Sequence, residues 1–213
     1  MQTHLKTEHV PEAGPMKQLK CIIIGVCSIF AVAGCSSPPV PTDTFYNLTS
    51  GRAAIGAGAA QLGGIVEVPR FRADGVINER AIVYRASATE QRQYTYHYWA
   101  EPPAIMVQRS FIDALRIAGS FDQVAGPEMR AGRDYELIGT LRRFEHDVSR
   151  VQGRAAVEME VALRQVRGGE TLFLKTYESE RSAGRDISGA VEALSAAVND
   201  IIAEVLQDIS AEN

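Results

Sequence analysis

Ala155-Ala156-Val157-Glu158-Met159-Glu160-Val161-Ala162-Leu163-Arg164-Gln165-Val166 alternates apolar and polar residues over most of its length. Successive side chains of a strand point to opposite faces. This puts Val157, Met159, Val161 and Leu163 on one face and Glu158, Glu160, Ala162 and Arg164 on the other. The stretch therefore reads as a strand with one face buried and one face wet, the signature of an antiparallel sheet. Gly168-Gly169 follows as a hairpin turn, and Thr171–Glu180 returns as the next strand. Upstream, Tyr135–His146 has the length and composition of a partner strand.

Two helices frame these strands. From Ser188 to Ile209, Val191, Leu194, Val198, Ile201, Ile202, Val205, Leu206 and Ile209 form a wide apolar stripe, with Ser188 expected as the N-cap. The stripe reads as this domain's own core. Between Ala104 and Ala118, Ala104, Val107, Phe111, Ala114, Leu115 and Ala118 recur at spacings of three and four. Gln108, Arg109, Asp113 and Arg116 take the opposite side. Glu101-Pro102-Pro103 opens this helix and Gly119 closes it. Earlier strands are expected at Thr44–Leu48, Ile65–Val68, Ile82–Arg85 and Tyr94–Trp99, and a short one at Phe121–Val124. Gly51–Gly64, with five glycines and five alanines, reads as a flexible loop because its glycines cost too much entropy for a helix. Gly126–Gly132 reads as a turn region. The order β-β-β-β-α-β-β-β-β-α predicts an α+β fold, a mainly antiparallel sheet with two helices packed on one face.

The N-terminal region sets the location. Met16-Lys17-Gln18-Leu19-Lys20 is a short basic head, Cys21–Ala33 an apolar run of 13 residues, and Gly34-Cys35 a small-residue cleavage site. The run is about 20 Å long as a helix, too short for a hydrocarbon core of about 30 Å. Val32-Ala33-Gly34-Cys35 resembles a bacterial lipobox. That resemblance implies that the Cys35 thiol receives a diacylglycerol, that the chain is cut before it, and that the new amino terminus is acylated. Met1–Pro15, with Lys6, Glu8, Glu12 and two prolines, resembles no signal head, so Met16 is the expected start. Residues 1–34 are thus read as a spurious start plus lipoprotein signal peptide, 35–43 as a lipidated tether, and 44–213 as the folded domain. Ser36–Asp43 holds three prolines, which favour extended polyproline-II geometry and a reach of about 20–25 Å. Ser36 rather than Asp after Cys35 implies, by analogy with enterobacterial sorting, an outer-membrane destination facing the periplasm.

Bulk numbers narrow the function. Removing the three Lys/Arg and two Asp/Glu of residues 1–34 from totals of 22 and 26 leaves 19 basic and 24 acidic residues, net −5. A mildly acidic domain argues against nucleic acid, and lipid rather than charge would hold it at a membrane. Cys21 and Cys27 leave with the signal and Cys35 is consumed by lipid, so no intramolecular disulfide is expected. No nucleophile elbow, Walker loop, dinucleotide fingerprint or His-Glu-x-x-His motif occurs. His97 and His146 are the only histidines of the mature chain. His146-Asp147 reads as a solvated strand end rather than an acid/base pair, Glu101 as a carboxylate at a helix start, where it favours the dipole, and Asp113 as one on the polar face. No catalytic residue, no metal ligand and no cofactor beyond the covalent lipid on Cys35 is expected. Tyr94, Tyr96 and Tyr98 would share one face of their strand, with Thr95, His97 and Trp99 on the other. Tyr94, Tyr96, Tyr98 and Trp99 are the candidate partner-contact aromatics, rigid groups with a polar tip; the same strand also reads as ordinary core.

The order of Cys35-Ser36-Ser37-Pro38-Pro39, Phe45-Tyr46-Asn47-Leu48, Val66-Glu67-Val68-Pro69-Arg70-Phe71, Ile82-Val83-Tyr84-Arg85, Tyr98-Trp99-Ala100-Glu101-Pro102-Pro103 and Phe121-Asp122-Gln123-Val124 resembles the ABC-type transport auxiliary lipoprotein family, the group similar to paraquat-inducible protein C. The resemblance covers essentially the mature chain; the last third matches by pattern more than by residues. It implies a non-enzymatic, palmitate-bearing periplasmic lipoprotein working with an ABC ATPase, a permease and an MCE-domain (mammalian cell entry) protein that moves lipids or other hydrophobic molecules between inner and outer membranes. It also implies docking to the MCE-domain partner as a homo-oligomer. Only Cys35 carries over with a defined chemical role. The same anchor and layout also fit a stand-alone outer-membrane assembly or structural lipoprotein.

Overall fold

The structure, a computed structural model, describes residues 40–49, 62–129 and 132–212. The signal, Cys35, the tether up to Pro39 and residues 51–61 of the Gly/Ala-rich segment lie outside the described residues. Residues Thr42–Asn213 make one unit. In order its elements are β1 (Thr44–Tyr46), β2 (Ile65–Glu67), β3 (Arg72–Ala73), a 3-10 turn (Gly75–Asn78), β4 (Ala81–Ser87), β5 (Glu90–Trp99), α1 (Pro103–Ala118), β6 (Gln123–Ala125), β7 (Tyr135–Asp147), β8 (Arg154–Gln165), β9 (Thr171–Ser182) and α2 (Ile187–Ala211).

The alternating stretch behaves as its pattern demands. In β8, Ala155, Val157, Met159, Val161 and Leu163 are buried, while Glu158, Glu160 and Ala162 are only half-buried. β8 pairs antiparallel with β7 on one side and β9 on the other. α2 packs across all three, burying Ala190, Leu194, Val198, Ile201, Val205 and Ile209. Its cap is Asp186, not Ser188: the Asp186 carboxylate accepts the Gly189 N–H at 2.8 Å. The spacing explains the difference, because an N-cap side chain reaches the amide three residues on.

The other edge of β7 departs from the mainly antiparallel expectation. Three short strands line it end to end, all parallel to it: Val66 opposite Tyr135, Arg72 opposite Thr140, and Tyr84 opposite His146. The chain from β2 to β4 climbs along β7 in one direction, so each short segment meets it the same way round. The sheet of nine described strands is therefore mixed, with β6 added beside β2, β5 beside β4, and β1 beside β5. A two-residue strand such as β3 is too short to show a period in sequence.

Both helices lie on one face. α1 packs on β3, β6 and β7 and touches α2. All six residues of its expected inner stripe are buried. Gln108, expected on the outer side, is buried as well, and its Nε2 donates to the Val68 carbonyl at 2.9 Å. That bond satisfies a carbonyl where Pro69 ends the strand ladder, since a buried unpaired carbonyl is costly. Gly119 closes the helix in the left-handed conformation, φ 67°, its N–H donating to the Leu115 carbonyl at 3.1 Å.

Gly153, just before β8, is held for space. A Cβ there would lie 1.6 Å from the Gly184 carbonyl oxygen and 2.7 Å from His146 Nε2. Neither is the free end of a flexible side chain. Gly153→Ala is expected to cost about 3 kcal/mol or more by forcing backbone apart, read as a lowered urea midpoint; an unchanged midpoint would refute the close approach.

Candidate functional site

The aromatic strand does not present one face. Between β4 and β5, Ala81 is opposite Tyr98 and Val83 opposite Gln93, so β5 takes five steps where β4 takes two. Tyr96 sits in this bulge with φ 64°. The alternation expected for Tyr94, Tyr96 and Tyr98 is broken there, and no glycine marks the place. Tyr94 turns inward: its ring lies 4.4 Å from Tyr84 and its hydroxyl 2.8 Å from His146 Nδ1. Tyr96 is 42% exposed. Tyr98 pairs with Phe45 at 6.0 Å between centroids, and Arg80 caps Phe45 at 5.0 Å. Trp99 is 1% exposed and packs on Phe144 at 5.3 Å. Of the four candidates, Tyr98 and Tyr96 reach the surface, and Trp99 is core. Phe45, 54% exposed, completes the wall of a groove of about 410 Å³ with Tyr98, Arg80, Glu79 and Gln93.

The densest polar cluster lies at the far end of β7. A register shift between Leu141 and Arg143 places an extra residue in the strand. Arg142 then pairs with Glu160 of the neighbouring β8 at 3.0 Å, and Arg143 with Glu180 of β9, one strand further on, at 3.4 Å. Such a bulge re-aims side chains. Glu145 is fully buried, and its carboxylate accepts from Arg85 Nε at 2.6 Å, Arg143 Nε at 2.6 Å and Gln91 Nε2 at 2.7 Å. Burial pushes this carboxyl up, but the bonds from Arg85, Arg143 and Gln91 outweigh it and hold it below the usual range. Asp147 behaves alike: burial raises it, and bonds from the Ser149 hydroxyl (2.6 Å) and amide (3.0 Å) together with the Arg143 charge leave it lowered. Glu145 was not legible as a site residue; the adjacent Arg142-Arg143 pair is its only trace in the sequence.

His146 and Asp147 are buried, 0% and 4% exposed, rather than a solvated strand end, and they do not act as a pair. His146 Nε2 lies 3.1 Å from the Gly184 carbonyl, which can only accept, so Nε2 carries the hydrogen and Tyr94 donates to Nδ1. Both ring nitrogens are thereby engaged, while Asp147 turns to Ser149. Glu101 gives both oxygens to Arg109, at 2.6 and 3.1 Å. Asp113 borders a small cleft with Asn47 and Arg109. Among the described residues no group of three His, Cys, Asp or Glu is placed to hold a metal ion.

A model of the ABC-type transport auxiliary lipoprotein component matches residues 46–206. The chain belongs to this family. The match begins within β1 and ends near the close of α2, so the family domain is the sheet and both helices. No curated protein sequence matches the chain. Among solved structures, protein XCC0632 of Xanthomonas campestris is similar at 23% identity and TM-score 0.70, over 77% of this chain and 93% of that one. A further uncharacterized protein is similar at 14% identity and TM-score 0.62, over 79% and 99% of the two chains. These likenesses concern the fold. As a family member the chain is a lipoprotein component auxiliary to ABC-type transport. No helix among its described residues is long and apolar enough to cross a membrane.

Proposed function

We propose that the protein is a non-enzymatic accessory of an MCE-type ABC system that moves lipids or other hydrophobic molecules between inner and outer membranes. In this reading Cys35, as lipid-modified N-terminus, anchors it in the outer membrane facing the periplasm. The domain then docks the MCE-domain protein, several copies acting together. The family match across residues 46–206 carries the reading. The engaged nitrogens of His146 and the paired oxygens of Glu101 support a holding role rather than a chemical one. The exposed Tyr96 and the Phe45–Tyr98 groove offer rigid aromatic area of the kind that anchors interfaces.

Affinity purification of the tagged full chain from cells in mild detergent tests this. The expected result is co-purification of an MCE-domain protein, reduced by Phe45→Ala with Tyr96→Ala. Recovery of an outer-membrane assembly factor instead, with no transporter subunit, would overturn it in favour of a stand-alone assembly lipoprotein.

A further inference from the structure

An open groove of about 660 Å³ lies across β3, β7 and β8. Its polar lining is Arg70, Arg72, Asp74 and Asn78 on one side and Thr140, Arg142 and Glu160 on the other. The placement of the arginines follows from one buried ring. Phe71 is 3% exposed, lies where a Cβ on Gly139 would come within 2.7 Å of it, and meets Phe111 edge-on at 5.4 Å. In extended backbone, residues on either side of an inward ring point outward together. Arg70 and Arg72 are accordingly both exposed and both border the groove. Arg142 is already neutralised by Glu160 at 3.0 Å and Asp74 at 3.6 Å. Among the described residues no acid pairs with Arg70 or Arg72. Arg70 and Arg72 thus present two uncompensated guanidiniums side by side at the groove.

We propose that this groove binds a phosphate-type oxyanion carried on a larger organic molecule, with Arg70 and Arg72 gripping the anion and Asn78 and Thr140 supplying further hydrogen bonds. Planar guanidinium forks match phosphate oxygens, and a phosphate has enough acceptors to serve two of them. The volume falls in the range of small-molecule sites and exceeds what a bare ion fills. The site stands apart from the Phe45–Tyr98 surface and does not depend on what docks there.

Inorganic phosphate and a short-chain phosphatidylglycerol are titrated separately into the purified full chain in non-ionic detergent, at constant ionic strength, with binding followed by calorimetry. Saturable binding of at least one probe is expected, weakened about tenfold or more in the Arg70→Ala, Arg72→Ala double variant and only partly restored when both are lysine, which supplies the charge without the planar fork. Both side chains are exposed, so the fold is not at stake. Preference for phosphatidylglycerol over phosphate assigns a lipid headgroup, and equal binding a soluble phosphate ester. Binding equal in wild type and the alanine variant, or no binding of either probe, would overturn the proposal.

Discussion

Glu145→Ala is expected to lower stability by about 3 kcal/mol in urea denaturation at neutral pH. The carboxylate is fully buried and satisfied by three donors, two of them charged. Removing it leaves Arg85 and Arg143 facing each other without their shared acid. Their side chains are 24% and 28% exposed, so water compensates in part, which places the loss at the lower end for a broken buried pair. The contact also ties the β4–β5 hairpin to β7, since Arg85 and Gln91 belong to β4 and β5. Acid should weaken the wild type along the same route. Glu145, Asp147 and Glu180 all have carboxyls held below their ordinary values. Their contribution is complete above the ordinary carboxylate range and fades as pH falls through the lower folded values. Wild type should therefore lose stability steeply on acidification, and Glu145→Ala less so, the two curves converging at low pH. Parallel curves would show that Glu145 is not an ionised keystone.

A Cys35→Ala chain is expected to take up no labelled palmitate and to accumulate as uncleaved precursor. The thiol is the only atom of the lipobox-like stretch able to form the thioether to diacylglycerol, and cleavage follows that modification. At about 0.8 kcal/mol per buried methylene, two or three acyl chains hold a protein at a bilayer where one chain holds it only marginally. Loss of the sulfur thus removes the anchor as a whole, and the apolar run of 13 residues is too short to replace it stably. Continued labelling of the variant would end the lipidation reading.

What could be read from sequence was what repeats along one element. β8 alternates over its core, α1 and α2 carry unbroken stripes, and Gly119 stops α1 where its left-handed conformation is needed. The α+β class follows from these. Pairing direction does not show in such patterns, because β2, β3 and β4 meet β7 in parallel by virtue of where the chain runs rather than what it is made of. Bulges are silent too. Tyr96 adopts positive φ without being glycine, and the shift near Arg143 cannot be told from regular strand. Both irregularities lie where polar and aromatic side chains leave the core. The strand of tyrosines could be seen; its division into an inward Tyr94, an outward Tyr96 and a core Trp99 could not. Gln108 is buried for a related reason, since the carbonyl of Val68, between the end of β2 and Pro69, needs a donor that only the fold reveals.

In the proposed function this small sheet-and-helix module serves as a lipid-held docking point for a transporter. Native mass spectrometry of the complex purified from cells through this chain tests it most directly. The expected mass comprises one or more copies beginning at Cys35, each carrying fatty-acid mass, together with an MCE-domain subunit. Only unmodified chain, or lipidated chain without any transporter subunit, would contradict it.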